Sequence, residues 1–277
     1  MTKYAIFLDL DGTTLATHNT ITTETISVVQ KIKQQGHKVF IATGRNYYST
    51  LPYHKMLGLD TPIITLNGGT IFRNNGDLLQ HIPIDYEFIH KFLEDDIIQK
   101  ELLVAGFEVP NKTILTEYGH SMLDFYTHQM PEDIEPNIAL LPKAQLSAKA
   151  LESTHNFYAF FEPQKLRSVL DYLENNFADN KPIALRKGNL ANPFVECFPS
   201  YISKATGIKL VMDKLKLTDY TTMAIGDGSN DFEMLSYVDH AVAMKNAVPR
   251  LLELTPNHTK KTNAESGVAD YLQEFFL

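Results

Sequence analysis

Three apolar runs in the N-terminal part of the chain constrain its fold more than any other feature. They cover Tyr4–Leu8, Val39–Ala42 and Pro62–Leu66, and none of them alternates between apolar and polar residues. Such runs are typical of strands in a parallel sheet that is covered on both faces. Between the first two runs, the apolar residues of 28–32 recur at helical spacing, and Gly36 then favours the end of a helix. This alternation of strand and helix predicts an α/β fold with a parallel sheet.

The alternation is interrupted in the middle of the chain and resumes towards the C-terminus. Strand-like runs return at Phe194–Phe198 and Thr222–Ile225, after a long segment that reads as short strands with one or two helices. We therefore predict that residues 1–82 and 193–277 form one sheet domain, into which residues 83–192 are inserted as an α+β domain.

Aromatic residues are concentrated in the inserted segment. Their number, together with the helical stripe Leu166, Val169 and Leu173, predicts a separate hydrophobic core rather than a platform for substrate. Cys197, the single cysteine, is expected to be a small buried apolar residue in a strand. The aromatic residues that we assign to this core are Phe107, Tyr118, Phe125, Tyr126, Phe157, Tyr158, Phe160 and Phe161.

Acidic and hydroxyl side chains lie where the predicted strands end. Asp9 and Thr43 directly follow the first and second strands, Asp227 follows a later strand after one glycine, and Asp11 lies just beyond Asp9. Ligands of an open parallel sheet bind outside the carboxyl ends of the strands, so these side chains are expected to meet at one edge. The carboxylates would repel one another without a cation, and a few oxygen ligands suit a Mg²⁺ ion that keeps several waters. We predict a Mg²⁺ site at this edge.

Groups that suit a phosphate are predicted beside this acidic cluster. Thr43 and Gly44 offer a hydroxyl and an accessible backbone N–H at the start of a predicted helix. Lys204 precedes another predicted helix and would supply a positive charge, and Asn230 offers an amide donor. The metal and these donors together predict that the site binds a phosphorylated ligand.

The overall charge and the cysteine content exclude several classes of partner. The 277-residue chain has a net charge of −8, which argues against nucleic acid or an anionic membrane as the main partner. One cysteine excludes an intrachain disulfide and fits a reducing compartment. No apolar stretch is long enough to span a bilayer, and Asp9 interrupts the first run too early for a signal peptide. We expect a soluble cytoplasmic protein, a monomer or a weak homodimer, whose partner is a small phosphorylated metabolite.

Four short motifs follow one another in a recognisable order. DLDGT covers 9–13, ATGR covers 42–45, Lys204 precedes a helix, and GDGSND covers 226–231. In this order they resemble the motifs of the haloacid dehalogenase-like phosphatase superfamily. Their spacing is similar to that of the Cof-type branch, in which a cap domain of type IIB lies between the second and third motifs. The resemblance implies a Rossmann-like parallel-sheet core domain with an inserted α+β cap domain.

The resemblance also implies which residues react. Asp9 matches the nucleophile, which is at the same time a metal ligand. Asp11 matches the general acid/base, and its backbone carbonyl is expected on the metal. Lys204 matches the lysine that neutralises the nucleophile and the phosphate together.

The other matched positions are implied to bind the metal or the phosphate. Thr43, Gly44 and Asn230 match phosphate-binding positions. Asp227 matches the remaining metal carboxylate, and Asp231 matches its neighbour, which lies on the metal or beside it.

The function implied is that of a Mg²⁺-dependent phosphatase. It would hydrolyse phosphate monoesters of small metabolites, such as sugar phosphates, through an aspartyl-phosphate on Asp9, with the insert as a lid that selects the leaving group. One alternative is a phosphomutase or phosphotransferase that uses the same intermediate. Another is a non-catalytic module that binds phosphorylated metabolites. The presence of Asp9 argues against this second alternative, because binding alone does not require a nucleophile.

Several motif residues also have a purely structural interpretation. Asn230 and Asp231 would cap a helix that begins near Phe232, and Thr43-Gly44 would be an ordinary turn between strand and helix. Lys204 would be a solvated surface lysine. A calcium loop of the EF-hand type is excluded at the first motif, because the twelfth loop position, where a glutamate is needed, is Thr20.

Overall fold

The chain forms two compact units. The computed structural model describes residues 2–110, 112–116, 137–142, 151–177, 183–189 and 192–277, of which 183–189, 192 and 193 are described by their backbone. Among the described residues, the first unit comprises 2–80 and 203–277, and the second comprises 81–202. The predicted fold class, an α/β sheet core with an inserted α+β domain, is confirmed.

Strands account for much of both units. In chain order they are β1 Lys3–Leu8, β2 Lys38–Ala42, β3 Ile63–Thr65, β4 Thr70–Phe72, β5 Leu78–His81, β6 Leu102–Val109, β7 Lys112–Leu115, β8 Ile138–Leu140, β9 Asn156–Phe161, β10 Ile183–Asn189, β11 Asn192–Pro199, β12 Tyr220–Gly226, β13 His240–Ala243 and β14 Asn257–His258.

The α-helices of the described residues are mostly short. In chain order they are α1 Thr23–Gln34, α2 Tyr47–Met56, α3 Tyr86–Glu94, α4 Asp96–Glu101, α5 Leu166–Asn176, α6 Lys204–Lys214, α7 Phe232–Tyr237, α8 Pro249–Leu254 and α9 Gly267–Phe276. Within the described residues, none of the helices has the length and apolar character needed to cross a lipid bilayer.

The first unit contains an eight-stranded sheet with the order β14-β13-β12-β1-β2-β3-β4-β5. The strands from β14 to β3 run parallel, and β4 pairs with β3 in the antiparallel direction. The central position of β1, between two strands from distant parts of the chain, agrees with its apolar sequence, since Ala5–Leu8 is completely buried.

The register of β1 brings three strand ends to one edge of this sheet. Leu8 lies opposite Ile225 of β12 and opposite Ile41 of β2. The residues that follow these strands therefore emerge at the same level, and they include Asp9 and Thr43. The sheet thus places the predicted site residues along its carboxyl edge, as expected for an open parallel sheet.

The first two helices of this unit, α1 and α2, begin at polar cap residues. In α1 the Thr22 side chain accepts a hydrogen bond from the Thr25 N–H, and Val28, Val29 and Ile32 are buried. Helix α2 begins at Tyr47, after the cap residue Asn46. The Thr43–Arg45 segment was expected to open this helix, but it forms the loop before the cap.

Within the described residues, the second unit contains a six-stranded sheet with the order β10-β11-β9-β6-β7-β8. All neighbours are antiparallel except β7 and β8. Phe107, Phe157 and Phe161 are fully buried in a core shared with α3 and α5, and Cys197 is buried with them. Phe160 belongs to a smaller apolar cluster, and Tyr158 packs against that cluster. Tyr118, Phe125 and Tyr126, also predicted for this core, lie outside the described residues.

One strand lies in a different sheet from the one predicted. We expected Phe194–Phe198 to resume the first sheet, but β11 pairs with β9 and β10 in the second. The first unit resumes only at residue 203. Local periodicity shows that this segment is a strand, but it carries no information about the strand's partners, which are fixed by long-range pairing.

Candidate active site

Asp9 is fixed at the end of β1 by its backbone. Its N–H donates to the Ile225 carbonyl at 3.1 Å, which continues the pairing with β12 for one residue. Its own carbonyl accepts a hydrogen bond from the Thr14 hydroxyl at 2.6 Å. The side chain is buried. The backbone of Asp9 is therefore fixed by hydrogen bonds at both its N–H and its carbonyl.

Lys204 faces Asp9 from the first residue of α6. Its Nζ donates to Asp9 Oδ1 at 2.5 Å and to Asp231 Oδ1 at 2.6 Å, and the lysine is completely buried. Burial alone would lower the pKa of Lys204, but the carboxylates of Asp231 and Asp9 outweigh it and raise that pKa. This direction of the pKa shift favours the charged ammonium form of Lys204 at neutral pH. The interpretation as a solvated surface lysine is wrong.

Asp231 orders the loop that follows β12. Its Oδ2 accepts hydrogen bonds from the backbone N–H groups of Asp227 and Gly228, both at 2.9 Å. Asp231 occupies the cap position of α7 without a side-chain hydrogen bond to that helix. Its carboxylate thus links Lys204 to the loop that carries Asp227.

Asp227 reaches the cluster from this loop. Its Oδ1 accepts a hydrogen bond from the Thr13 hydroxyl at 2.8 Å. Gly12 has a left-handed φ of 72°, and a Cβ at that position would collide with the Asp227 carboxylate. Burial, partly offset by Thr13 and reinforced by the charge of Asp231, raises the pKa of Asp227 to about 6.

The carboxylates form a group that fits a small cation. Asp9, Asp227 and Asp231 each place one oxygen within 4.8 Å of the others. Burial raises the pKa of Asp9 well above its ordinary value, against the opposing effect of Lys204, and the charges of Asp231 and Asp11 raise it further. Ionised together, the three carboxylates exceed the one ammonium of Lys204 by two negative charges. An all-oxygen donor set with this excess charge fits one divalent hard cation.

The Asp11 carboxylate lies outside this group and is bound by Arg45. Arg45 Nε donates to Asp11 Oδ2 at 2.7 Å, and Nη2 donates to Oδ1 at 2.5 Å, a bidentate arrangement. The arginine is buried, whereas 57% of the Asp11 side chain is exposed. Nη2 also donates to Asn19 at 3.1 Å, and the guanidinium lies 5.3 Å from the ring centroid of Tyr53. Asp11 is therefore oriented by a rigid, charged partner and open to solvent.

The predicted phosphate-binding residues lie together beside Asn67. Thr43 is buried, and its hydroxyl accepts a hydrogen bond from the Arg45 N–H at 3.2 Å. Asn230 Nδ2 donates to Asn67 Oδ1 at 3.0 Å, and the cap position of the following helix is occupied by Asp231 rather than by Asn230. A Cβ on Gly44 would lie 3.2 Å from Asn67 Oδ1 and 3.6 Å from Asn230 Nδ2. The four residues therefore line one small polar region.

Three residues of the site as a whole were not singled out in the sequence. Thr13 lies within the first motif and Arg45 within the second, so their positions offered a signal, but no role followed from it. Asn67 follows β3 in the run Asn67-Gly68-Gly69, which is a strand end like those of Asp9 and Thr43. Applying the rule of strand ends to this third strand as well would have found it.

The chain matches a known protein family over most of its length. The model of the haloacid dehalogenase-like hydrolases matches residues 6–272. The chain belongs to this family. It is 29% identical over 280 residues to the 5-amino-6-(5-phospho-D-ribitylamino)uracil phosphatase YitU of Bacillus subtilis, with 99% of this chain and 97% of the relative covered. It is 28% identical over 284 residues to the HMP-PP phosphatase of Serratia proteamaculans, with 99% and 96% covered.

A solved structure supports the predicted architecture of this family member. The subclass IIB sugar phosphatase BT4131 of the same superfamily superposes with a TM-score of 0.73 at 22% identity, covering 99% of each chain. The resemblance to the Cof-type branch of haloacid dehalogenase-like phosphatases is confirmed, and so is the predicted enzyme class, a phosphatase.

Proposed function

We propose that this haloacid dehalogenase-like enzyme is a Mg²⁺-dependent phosphatase that hydrolyses phosphate monoesters of small metabolites through an aspartyl-phosphate. The observation that carries this proposal is the position of Asp9. Its carboxylate is buried at a strand end, contacts the ammonium of Lys204 and lies against two further carboxylates. A buried carboxylate with this surplus of negative charge suits a nucleophile whose partners are a cation and a phosphate.

The residues that would hold Mg²⁺ are Asp9, Asp227 and the backbone carbonyl of Asp11. Asp231 was predicted for the metal as well, and both of its oxygens already accept hydrogen bonds. We propose that Asp231 acts mainly by fixing Lys204 and the Asp227 loop. The chemistry supplied by bound Mg²⁺ is the neutralisation of the charges on the phosphate and on the attacking carboxylate.

In the first step, Asp9 attacks phosphorus. Lys204 holds Oδ1, so Oδ2 is the oxygen that forms the new bond. The bond between phosphorus and the ester oxygen breaks, and the leaving alkoxide takes a proton from Asp11, which enters this step protonated, the form in which the second step of the preceding turnover leaves it. Lys204 remains beside the transferred phosphoryl group and stabilises its charge.

In the second step, water hydrolyses the aspartyl-phosphate. Asp11 accepts a proton from this water, which attacks phosphorus, and Asp9 is released as a carboxylate. The bidentate contact with Arg45 is the geometry of a carboxylate acceptor, so it suits this step. Thr43, Gly44 and Asn230 would bind phosphoryl oxygens during both steps.

The substrate class is proposed from the relatives. The names of YitU and of BT4131 identify substrates that are phosphorylated derivatives of small metabolites, a ribitylaminouracil in the first case and a sugar in the second. We propose a substrate of this general kind, with the second unit contributing to the choice of leaving group.

A phosphatase screen tests the proposal. Sugar phosphates, phosphorylated polyols and phosphorylated pyrimidine derivatives are incubated with the protein, and free phosphate is measured with Mg²⁺ and with excess EDTA. We expect release for a subset of esters with Mg²⁺ and none with EDTA. Transfer of the phosphoryl group to a second sugar without free phosphate would instead indicate a mutase, and equal release in EDTA would contradict the role of the metal.

A further inference from the structure

The turn that follows β3 has an unusual backbone. Leu66, Asn67 and Gly68 have φ values of 48°, 54° and 96° in succession. The left-handed region is ordinary for glycine and tolerated by asparagine, but it is unfavourable for leucine. Backbone strain of this kind persists only where the surroundings enforce it, and it is concentrated at functional sites.

Hydrogen bonds tie this turn to the phosphate-binding segment. The Leu66 N–H donates to the Arg45 carbonyl and the Asn67 N–H donates to the Thr43 carbonyl, both at 2.9 Å. On the other side, a Cβ at Gly68 would collide with the carbonyl of Ser203, the residue that precedes Lys204. The strained turn is therefore wedged between the backbones that carry Thr43 and Lys204.

This placement aims the Asn67 side chain at the polar region described above. The residue is 7% exposed. Its Oδ1 accepts from Asn230, and its Nδ2 lies 3.3 Å from the position that a Cβ on Gly44 would take. Among the described residues, no acceptor pairs with this Nδ2. A buried amide that has used its oxygen on Asn230 thus presents its two N–H donors beside Gly44.

We propose that Asn67 is a substrate-binding residue that donates a hydrogen bond from Nδ2 to an oxygen of the transferring phosphoryl group, while its Oδ1 orients the Asn230 amide. This inference rests on the proposed function. An uncharged donor suits the position, because it binds the phosphoryl oxygens without adding a charge that would compete with Mg²⁺ for the carboxylates.

Two substitutions of Asn67 separate the role of its Nδ2 donor from the role of its strained backbone conformation. Asn67→Asp retains an oxygen that accepts from Asn230 and a residue that tolerates positive φ, but it replaces the donor with an anionic oxygen. Asn67→Gly relieves the backbone strain and removes the amide altogether. As a matched control, Asn257→Asp removes an amide that donates to the Ala241 carbonyl, at a sheet strand outside the site.

Binding of inorganic phosphate to the full-length protein with Mg²⁺ is measured by calorimetry, together with KM and kcat for the best ester of the screen. We expect both Asn67 variants to bind phosphate about 10- to 100-fold more weakly, the loss of one hydrogen bond to a charged group. KM should rise as the affinity for phosphate falls, while thermal stabilisation of the protein by Mg²⁺ persists. Asn257→Asp should bind phosphate like the parent.

The test distinguishes this inference from the proposed function. If both folded Asn67 variants retain the phosphate affinity and the KM of the parent within twofold, Asn67 only shapes the turn and the inference is wrong. If Asn67→Gly does not fold, Asn67→Asp decides alone. If the parent hydrolyses no ester, the proposed function fails, yet the phosphate affinities of parent and variants still answer the question about Asn67.

Discussion

Lys204 determines the charge balance of the site. Its ammonium group is fully buried and donates to Asp9 and to Asp231, so each of two buried carboxylates depends on the same cation. Removing one member of such a group leaves a buried charge unpaired. An unpaired buried charge destabilises the folded protein far more than the complete group of paired charges does. The same contact fixes the position of Asp9 Oδ1.

We expect Lys204→Met to destabilise the protein by about 3–5 kcal/mol, because two buried carboxylates lose their cation. Denaturant unfolding in EDTA at neutral pH measures this effect. As a control, Lys260→Met removes an exposed lysine paired with Glu274 and should leave stability almost unchanged. A Lys204 variant as stable as the control would show that the carboxylates find another partner.

Asp9→Asn should fold like the parent, because an amide keeps the size of the side chain and an oxygen for Lys204. Its phosphatase activity should fall by more than about 10³-fold, since an amide is no nucleophile. Phosphate release under single-turnover conditions is the measurement, with circular dichroism to verify folding. Activity within tenfold of the parent would refute the assignment of the nucleophile.

At the scale of the element, α2 shows how one buried polar residue fixes a helix on the sheet. His54 is 2% exposed, and its Nε2 lies 2.8 Å from the carbonyl of Thr61, which precedes β3. A neutral imidazole donates to this carbonyl and satisfies it without burying a charge. Burial lowers the pKa of His54 below its ordinary value of 6.5, although the Thr61 carbonyl partly opposes this shift.

The lowered pKa of His54 predicts a pH dependence of stability. The unfolded chain binds a proton near pH 6.5, whereas the folded protein resists it, so the unfolded state holds more protons below that pH. The contribution of His54 to the free energy of unfolding is therefore fully present above pH 6.5, and it is lost as the pH falls towards the pKa of His54 in the folded protein. His54→Gln, which keeps an N–H donor, should reduce this slope of the free energy of unfolding between pH 7 and pH 5.

The quantity to measure is the difference in pH dependence between the variant and the parent. Burial also lowers the pKa values of His37, His81 and His240, so the parent alone would not isolate the effect of His54. Denaturant titrations at several pH values give both slopes. Identical slopes for His54→Gln and the parent would mean that His54 is protonated as easily in the folded protein as in the unfolded chain.

At the scale of the whole molecule, the two units have separate hydrophobic cores. In the first, Phe7 and Phe40 of adjacent parallel strands stack at 4.7 Å between ring centroids. In the second, Phe157 contacts Phe92 at 4.9 Å and Phe107 at 5.5 Å. Every residue predicted for the site belongs to the first unit. The stability of the second core can therefore be measured separately from the stability of the first.

Phe157→Ala should destabilise the second unit by about 3–5 kcal/mol, the usual effect of removing a fully buried aromatic ring. Hydrogen exchange followed by mass spectrometry should show faster exchange in β9 and α5 and unchanged exchange in β1 and β12. Thermal stabilisation by Mg²⁺ should remain. Faster exchange throughout the chain would contradict the separation into two cores.

The strand ends illustrate what could be predicted and why. Asp9, Thr43 and Asp227 were identified because apolar runs in the sequence show where parallel strands stop, and the register of β1 with β2 and β12 brings these ends together. The partner of β11 could not be predicted in this way. The local sequence of an apolar strand is compatible with either sheet. The sheet to which β11 belongs is decided by its pairing with β9, which lies far away in sequence.

The sequence by itself determined the class of the fold, the edge of the sheet that carries the site, and most of the polar residues there. These follow from local periodicity and from the chemical types of residues at strand ends. Only the tertiary structure decided that Arg45 binds Asp11, that Lys204 is shared by Asp9 and Asp231, and that Asn67 adjoins Asn230. Such contacts join residues that are distant in the chain, and their geometry is set by the packing of whole elements rather than by any short stretch of sequence.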